Sequence, residues 1–232
     1  MPVRQWIRSA NFAIEGILQA ARTQRHLRYH FYAAAAVLLF SYAAGVTKIH
    51  FLIISLAVIA VLLAEMLNTA MESVVDLLSP DRHDKARAAK DIAAGAVFIT
   101  AFGAAIIGYV VLMPYARKIF DKGLRVAKHT SEEISIIALV LVLMVVVLMK
   151  SRLGKGHPLS GGMPSGHAAL AFAAWVAVTF ITENLIASIL CFLLAAGIAR
   201  SRVTQKIHGP WEVFVGALIG SLITFALFRV FS

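Results

Sequence analysis

The first group of residues suited to chemistry lies inside a long apolar run at about 51–78. Three acids and one amide recur there at offsets of 0, 3, 7 and 11, which places them on one face of a helix: Glu65, Asn68, Glu72 and Asp76. A carboxylate at membrane depth costs roughly 3 kcal/mol, so the stripe needs water, a metal or cationic partners. It indicates either a polar seam between helices of an oligomer or a site that holds divalent cations and uses one carboxylate as a base.

The second group falls in two connections between apolar runs after residue 133. Its members are Lys150, His157, Ser165, Gly166 and His167 in the first connection, and Arg202, His208 and Glu212 in the second. Lys150 and Arg202 can supply charge to phosphate oxygens, and a Ser165-Gly166 turn at a helix start can present backbone amides to the same anion. Glu212, four residues after His208, can orient that ring and raise its basicity as a nucleophile. Together these residues predict a phosphate site.

The composition places both groups in a membrane protein. Of 232 residues, 60% are hydrophobic and 15% are charged, against roughly 25% charged in soluble domains. The net charge of +10 does not indicate nucleic-acid binding, because Lys and Arg stand in short segments between apolar runs, where they match anionic lipid headgroups. The single cysteine, Cys191, excludes an intramolecular disulfide and a cysteine-based zinc site.

The apolar runs predict the elements that position these residues. Apolar side chains at three- and four-residue steps from Val3 to Ala21 predict an amphipathic surface helix. Three spanning helices, a polar linker and four more spanning helices follow, with runs at about 31–47, 51–78, 92–114, 134–149, 165–182, 185–199 and 211–231. The predicted fold class is therefore all-α integral membrane, with domain boundaries at 1–115, 116–133 and 134–232.

A third feature concerns nucleotide binding. Lys90 and Asp91 are predicted to open the third spanning helix, where a cation and helix N-terminal amides can receive phosphate oxygens. The chain contains neither a Gly-x4-Gly-Lys-Ser/Thr loop nor a kinase-type glycine loop. A nucleotide site in this chain is therefore expected to be unconventional.

A long motif runs over the second and third spanning segments. It reads Glu65-x2-Asn68-Thr69-Ala70-x-Glu72-x3-Asp76, then His83, then Ala89-Lys90-Asp91-x-Ala93-Ala94-Gly95-Ala96-Val97. This pattern, with the segments around it at about 1–115, resembles the small prokaryotic diacylglycerol kinase and undecaprenol kinase family. The resemblance implies a homotrimer in the bacterial cytoplasmic membrane that uses ATP and Mg²⁺ to phosphorylate a lipid hydroxyl.

The same resemblance implies roles for individual residues. Glu65 is the expected general base and Glu72 a metal ligand, with Asn68 and Asp76 as supporting residues and His83, Lys90 and Asp91 as nucleotide contacts. One position departs from the family pattern, because Gln24 stands where a second metal-binding Glu is common. An amide oxygen can coordinate Mg²⁺ but adds no negative charge. Two expectations stay open: weaker or rearranged Mg²⁺ binding, and a kinase-like half without activity.

The second group forms three blocks, Lys150-x6-His157-Pro158, Pro164-Ser165-Gly166-His167 and Ser201-Arg202-x5-His208-x3-Glu212. They resemble the type 2 phosphatidic acid phosphatase (PAP2) superfamily over about 134–232, with His157 in place of the usual Arg and Glu212 in place of the usual Asp. The resemblance implies that His208 forms a phosphohistidine, that His167 is the leaving-group acid and that Glu212 supports His208. It also implies no cofactor for this half, and a phosphate clamp of Lys150, His157, Ser165, Gly166 and Arg202.

The two resemblances together imply a bifunctional membrane lipid enzyme, a lipid kinase fused to a lipid phosphatase. Opposed activities on one lipid would waste ATP, and the conflict disappears if undecaprenol is phosphorylated while undecaprenyl diphosphate is trimmed. Diacylglycerol and phosphatidic acid are the alternative substrates. The sequence does not distinguish them from the polyprenyl lipids, because pockets for prenyl chains and for acyl chains are lined by the same apolar residue types. A PAP2 phosphatase with a non-catalytic, trimerising kinase-like anchor is a further alternative. The expected partners are membrane lipids and further copies of the chain, with no nucleic acid.

Overall fold

The structure is a computed structural model that describes residues 2–79, 81, 83–122, 127–153 and 162–232. Within these residues the chain forms eight α-helices and no strands. The helices are α1 (Pro2–Thr23), α2 (Arg25–Ala43), α3 (Lys48–Leu78), α4 (Asp84–Lys122), α5 (Ser131–Leu153), α6 (Gly166–Thr182), α7 (Leu185–Thr204) and α8 (Pro210–Phe231). Each predicted apolar run corresponds to one helix, and the all-α membrane class is confirmed.

Five of the described helices, α3, α4, α5, α7 and α8, are long and apolar enough to cross a membrane. The chain is therefore a multi-pass membrane protein. Helix α6 is apolar but has 17 residues, and α2 carries Arg25 and Arg28 in its first turn. The total of seven spans therefore stays a prediction.

Local sequence signals explain where several helices begin. Thr47 caps α3, since its Oγ1 accepts a hydrogen bond from the His50 amide at 3.4 Å. Asn184 caps α7 in the same way, accepting from two amides through Oδ1. Gly45 has φ +64 in the turn between α2 and α3, a backbone conformation that favours glycine.

Two boundaries of α4 differ from the prediction. The helix begins at Asp84, rather than near Lys90, because the intervening residues are mostly good helix formers with an acid in the first turn. Lys90 and Asp91 therefore lie beyond the first turn and do not supply the N-terminal amides of α4. The helix also continues to Lys122 with Pro114 inside it, so helix occupies part of the predicted linker at 116–133. The domain boundaries themselves stay a prediction.

The helices group into two compact units. One comprises residues 1–23 and 128–232, and we refer to it as the α1/α5–α8 unit. Within it, α6 packs on α5, α7 and α8, and α1 packs on α5. The other, the α2–α4 unit, comprises residues 24–127, and in it α3 packs on both α2 and α4. The amphipathic helix α1 thus belongs to the same unit as the C-terminal helices.

Small residues hold the α1/α5–α8 unit together where its helices meet. One core cluster contains Val142, Val146, Ala169 and Ala173, and another contains Ala168, Ala199 and Val213. Helix α8 approaches α6 so closely that a Cβ added at Gly216 would overlap the carbonyl oxygen of Ser165. A Cβ at Gly220 would overlap the carbonyl oxygen of Ala169 in the same manner. This close contact fixes the start of α6 against α8.

Candidate active sites

The acid stripe of α3 has its most buried member in Glu65, which is 6% exposed. His30 of α2 is its neighbour, with Nε2 3.0 Å from Glu65 Oε1. A buried carboxylate needs such a hydrogen-bonding or cationic partner. His30 received no role from the sequence alone. The signal that could have identified it is a histidine at the start of an apolar helix, near the stretch that contains Gln24.

Two turns further along α3, the side chains of Asn68 and Gln24 meet that of Glu72. Asn68 Nδ2 donates to Glu72 Oε1 at 2.9 Å, and Gln24 Nε2 donates to Glu72 Oε2 at 3.2 Å. Asn68 Oδ1 is buried and has no hydrogen-bond partner among the described residues. The Glu72 carboxylate thus lies beside two amide side chains, and carboxylate and amide oxygens are ligands that Mg²⁺ prefers. Across the described parts of the chain, no three His, Cys, Asp or Glu side chains gather as metal ligands.

A polar cavity of about 520 Å³ lies where α3 ends and α4 begins. Asp76, His83 and Lys90 line it, so three of the predicted site residues belong to one cavity. Lys90 Nζ contacts Asp76 Oδ1, which ties α4 to the end of the acid stripe. Asp91 does not line the cavity, and its Oδ2 lies 3.7 Å from Nε of Arg87, with both side chains largely exposed.

An apolar cavity of about 380 Å³ lies between α2, α3 and α4. His30 lines it together with small residues, among them Ala33, Ala34, Ala57, Ala101, Ala104, Ala105 and Gly108. Because His30 also contacts Glu65, the buried acid adjoins an apolar space. This arrangement suits an amphiphile whose hydroxyl meets Glu65 and whose hydrocarbon chain fills the cavity.

The histidine site of the α1/α5–α8 unit is built around His208, which is 5% exposed. Its Nδ1 lies 2.9 Å from Glu212 Oε2, so Nε2 is the ring nitrogen that this contact leaves available for another role. Burial lowers the pKa of His208 below its ordinary value, and the adjacent Glu212 carboxylate offsets part of that effect. The ring is therefore neutral near pH 7, which is the form a nucleophile needs.

Backbone geometry brings these residues together. The amides of Ile207 and His208 both donate to the carbonyl of Arg202 at 3.1 Å, and Lys206 adopts a left-handed φ of +55 in the same turn. This turn brings Arg202 and His208 close together although five residues separate them in the sequence. Glu212 joins the other connection as well, because its Oε1 accepts from the Gly162 amide at 3.0 Å.

Donors and cations surround His208. Ser165 Oγ and Arg202 Nε are buried without a hydrogen-bond partner in the described residues, although an unpaired buried donor costs about 1–3 kcal/mol. Ser165 stands at the N-cap of α6 but makes no side-chain cap bond. Lys150 is 4% exposed, and its charge acts on His167 together with that of Arg202. An anion such as phosphate would pair with these groups.

The predicted phosphate-site residues within the described ranges come from α5, α6 with its N-cap, α7, α8 and the turn between α7 and α8, and they converge: Lys150, Ser165, Gly166, His167, Arg202, His208 and Glu212. His157 lies outside the described residues. Gly216 and Gly220 were not predicted, although their Gly-x3-Gly spacing on a membrane helix is a known signal of close helix packing.

Comparisons with known proteins match both regions. Residues 11–112 match the family model described as prokaryotic diacylglycerol kinase, and residues 98–232 match that of the PAP2 superfamily, with an overlap inside α4. An undecaprenol kinase of Bacillus subtilis is 38% identical over 112 residues, which cover 48% of this chain and 91% of that protein. A diacylglycerol kinase of Synechocystis sp. is 38% identical over 107 residues, covering 46% and 61% respectively.

A diacylglycerol kinase of Haemophilus influenzae is 30% identical over 93 residues, which cover 40% of this chain and 79% of that protein. No solved structure matches the chain significantly. The two family matches coincide with the two candidate sites, since the acid stripe falls within the first match and the histidine site within the second. The chain therefore belongs to the prokaryotic diacylglycerol kinase family in its N-terminal part and to the PAP2 superfamily in its C-terminal part.

Proposed function

We propose that the protein is a bifunctional membrane lipid enzyme. Its α2–α4 unit phosphorylates a lipid alcohol with ATP, and its α1/α5–α8 unit removes phosphate from a lipid phosphate or diphosphate. The observation that carries the proposal is the coincidence of each family match with a buried acid or histidine pair, Glu65 with His30 and His208 with Glu212. We further propose a homotrimer in the bacterial cytoplasmic membrane.

In the kinase half, Glu65 takes the proton of the lipid hydroxyl. The hydroxyl oxygen forms a bond to the γ-phosphorus of ATP while the bond from that phosphorus to the β–γ bridging oxygen breaks, and ADP leaves. His30, 3.0 Å from Glu65, holds the carboxylate at the edge of the apolar cavity. The cavity accepts the hydrocarbon chain, so the hydroxyl lies next to the base.

The nucleotide is assigned to the polar cavity that Asp76, His83 and Lys90 line. Mg²⁺ fits the adjoining group of Gln24, Asn68 and Glu72, because Asn68 Oδ1 is buried without a partner in the described residues and all three side chains offer oxygen ligands. When bound, Mg²⁺ neutralises charge on the nucleotide phosphates. Lys90 offers a further cation to the same phosphates.

In the phosphatase half, His208 Nε2 attacks the phosphorus while the bond from phosphorus to the leaving oxygen breaks. His167 gives its proton to that oxygen, which belongs to a lipid alcohol in a monoester or to a lipid phosphate in a diphosphate. His167 then takes a proton from water, whose oxygen attacks the phosphohistidine, and inorganic phosphate and free His208 result. Ser165, Gly166, Lys150 and Arg202 supply the donors and charge around the phosphate oxygens.

Undecaprenol and undecaprenyl diphosphate are the substrates we favour. The relative from Bacillus subtilis is an undecaprenol kinase, and the two reactions converge on undecaprenyl phosphate without consuming ATP in a cycle. A second candidate keeps diacylglycerol and phosphatidic acid, and the names of the other two relatives favour it. A third is a phosphatase with a non-catalytic kinase-like half, and the amide at Gln24 beside Glu72 favours it.

One substrate panel on the purified full chain in lipid nanodiscs tests these candidates. Undecaprenol and diacylglycerol are each incubated with labelled ATP and Mg²⁺, and the phosphates of both lipids and undecaprenyl diphosphate are assayed for phosphate release. Phosphorylation of undecaprenol together with release from undecaprenyl diphosphate supports the favoured proposal. Phosphorylation of diacylglycerol alone supports the second candidate, and release without any phosphorylation supports the third.

A further inference from the structure

The last turn of α1 places Arg22 beside Lys150. Nε of Arg22 donates to the backbone carbonyl of Lys150 at 3.4 Å, and the two side-chain charges are near enough to repel each other. The end of α1 is firmly docked, because Leu18, Ala20 and Ala21 are all buried and the helix packs on α5. The position of Arg22 therefore follows from packing within the α1/α5–α8 unit.

The charges around Lys150 favour a multiply charged anion. Cations held together in a partly buried place cost free energy unless an anion offsets them. Glu212 also acts on Lys150, but this carboxylate is shared with His208 and with two backbone amides. A phosphate monoester carries about 1.5 to 2 negative charges at pH 7 and three acceptor oxygens. Its charge and acceptors complement the positive charges and N–H donors of Arg22, Lys150 and Arg202.

We infer that Arg22 is a phosphate-binding residue of the phosphatase site, contributed by the amphipathic helix and not by the helices that carry the PAP2 motifs. The inference rests on the proposed phosphatase function. The planar guanidinium fork suits phosphate oxygens, and Arg22 holds its charge beside that of Lys150. The contact with the Lys150 carbonyl orients the fork at the end of α5, where Lys150 itself reaches the site.

A purely structural role for Arg22 is the alternative. The Lys150 carbonyl belongs to the last turn of α5, and in a structural role Arg22 would only donate a hydrogen bond to it. Arg22→Gln separates the two roles, because a neutral amide still donates a hydrogen bond but carries no charge. Arg22→Lys keeps the charge, and Arg25→Gln is the matched control because it removes an exposed charge three residues away.

The experiment uses the full chain in nanodiscs with the lipid phosphate or diphosphate on which the wild type is most active. Arg22→Gln is expected to raise both KM and the orthovanadate concentration for half inhibition about tenfold, the size of a lost hydrogen bond to a charged group. The turnover number and the thermal unfolding midpoint stay at wild-type values. Arg22→Lys recovers most of the affinity, and Arg25→Gln behaves as the wild type.

Two results overturn the inference while leaving the phosphatase function standing. One is a folded Arg22→Gln variant with wild-type KM and wild-type vanadate inhibition. The other is a loss confined to the turnover number and unfolding midpoint, with Arg22→Lys no better than Arg22→Gln, which assigns Arg22 to helix docking. If the wild type releases phosphate from none of the lipids, the proposed phosphatase function has failed, and the inference falls with it.

Discussion

At the residue scale, the pair of His208 and Glu212 leads to a prediction for the acid limb of the phosphatase pH profile, which should report the pKa of His208. In the proposed mechanism His208 attacks only when neutral, so kcat/KM is expected to fall as the pH drops through its pKa. Burial lowers that pKa and the Glu212 carboxylate partly restores it. Glu212→Gln removes the restoring charge, and we expect the acid limb to move to lower pH while the rate drops by about 10²–10⁴-fold.

Ionisation of the substrate also affects the pH profile, but it affects the wild type and the variant equally because both act on the same substrate. The difference between the two acid limbs therefore reports on the protein. Glu212→Asp keeps a carboxylate and is expected to return the limb toward its wild-type position. Glu133→Gln is the matched control, since His129 and Glu133 form another pair at four-residue spacing, 3.3 Å apart, in the same unit. An acid limb that stays in place in Glu212→Gln, or that moves to higher pH, contradicts the assigned role of Glu212.

Gln24 gives a second prediction at this scale. Its side chain already contacts Glu72 at 3.2 Å, so Gln24→Glu brings a second carboxylate to the same place. Two adjacent carboxylates repel each other without a cation and bind Mg²⁺ more tightly than one. We expect the Mg²⁺ concentration for half-maximal kinase rate to fall about tenfold, and the thermal midpoint in EDTA to fall and recover on adding Mg²⁺.

Gln19→Glu is the control for added charge, because Gln19 is exposed on α1. It is expected to leave the Mg²⁺ dependence and the response to EDTA at wild-type values. An unchanged Mg²⁺ dependence in folded Gln24→Glu would mean that position 24 does not face the metal.

The residues that sequence reasoning predicted and those it missed differ in the kind of signal they leave. Acids at helical spacing in α3, or two histidines among cations in α5–α8, are rare in apolar sequence. Their residue types alone therefore mark them as candidate site residues. The contacts of His30 with Glu65 and of Arg22 with Lys150 join residues 35 and 128 positions apart. Pairing over such distances depends on how helices pack, which no spacing within one segment encodes.

At the element scale, helix existence was predictable and helix ends were less so. Each apolar run corresponds to a helix because apolar length is a strong signal in a membrane chain. Helix α4 exceeds its apolar run at both ends, from Asp84 to Lys122, because polar residues with good helix propensity continue it. Hydropathy therefore measures the apolar part of α4 and not its full length.

The contact of α8 with α6 supports a prediction for Gly216. An added Cβ would overlap the Ser165 carbonyl oxygen, and backbone cannot yield as a flexible side chain can. We expect Gly216→Ala to destabilise the fold by about 1–3 kcal/mol, the usual cost of overpacking, and to lower phosphatase activity because Ser165 shifts. Thermal unfolding in detergent and the phosphate-release assay measure the two effects.

Gly197→Ala is the matched control for helix propensity. Gly197 lies in α7, and a Cβ there would meet no atom within 4 Å. The exchange should leave activity unchanged and add up to about 1 kcal/mol of stability, because alanine is the better helix former. Equal behaviour of the two variants would mean that the close approach of α8 to α6 does not exist in the folded protein.

At the scale of the whole molecule, one chain combines two phosphate chemistries that use different residues. The kinase proposal depends on carboxylates and amides of the α2–α4 unit, and the phosphatase proposal depends on histidines and cations of the α1/α5–α8 unit. The family matches overlap only within α4, so no predicted catalytic residue belongs to both. The two activities are therefore expected to be lost separately.

Reciprocal variants test this separation. Glu72→Gln should lower lipid phosphorylation at least about 100-fold and leave phosphate release intact, and His208→Ala should do the reverse. Excess EDTA should stop phosphorylation while phosphate release continues, because the phosphohistidine route relies on protein side chains and the kinase proposal relies on Mg²⁺. Both rates are measured on the same preparation, with the thermal midpoint as the check on folding. Loss of both activities in either folded variant, or phosphate release that depends on added Mg²⁺, would contradict two independent sites.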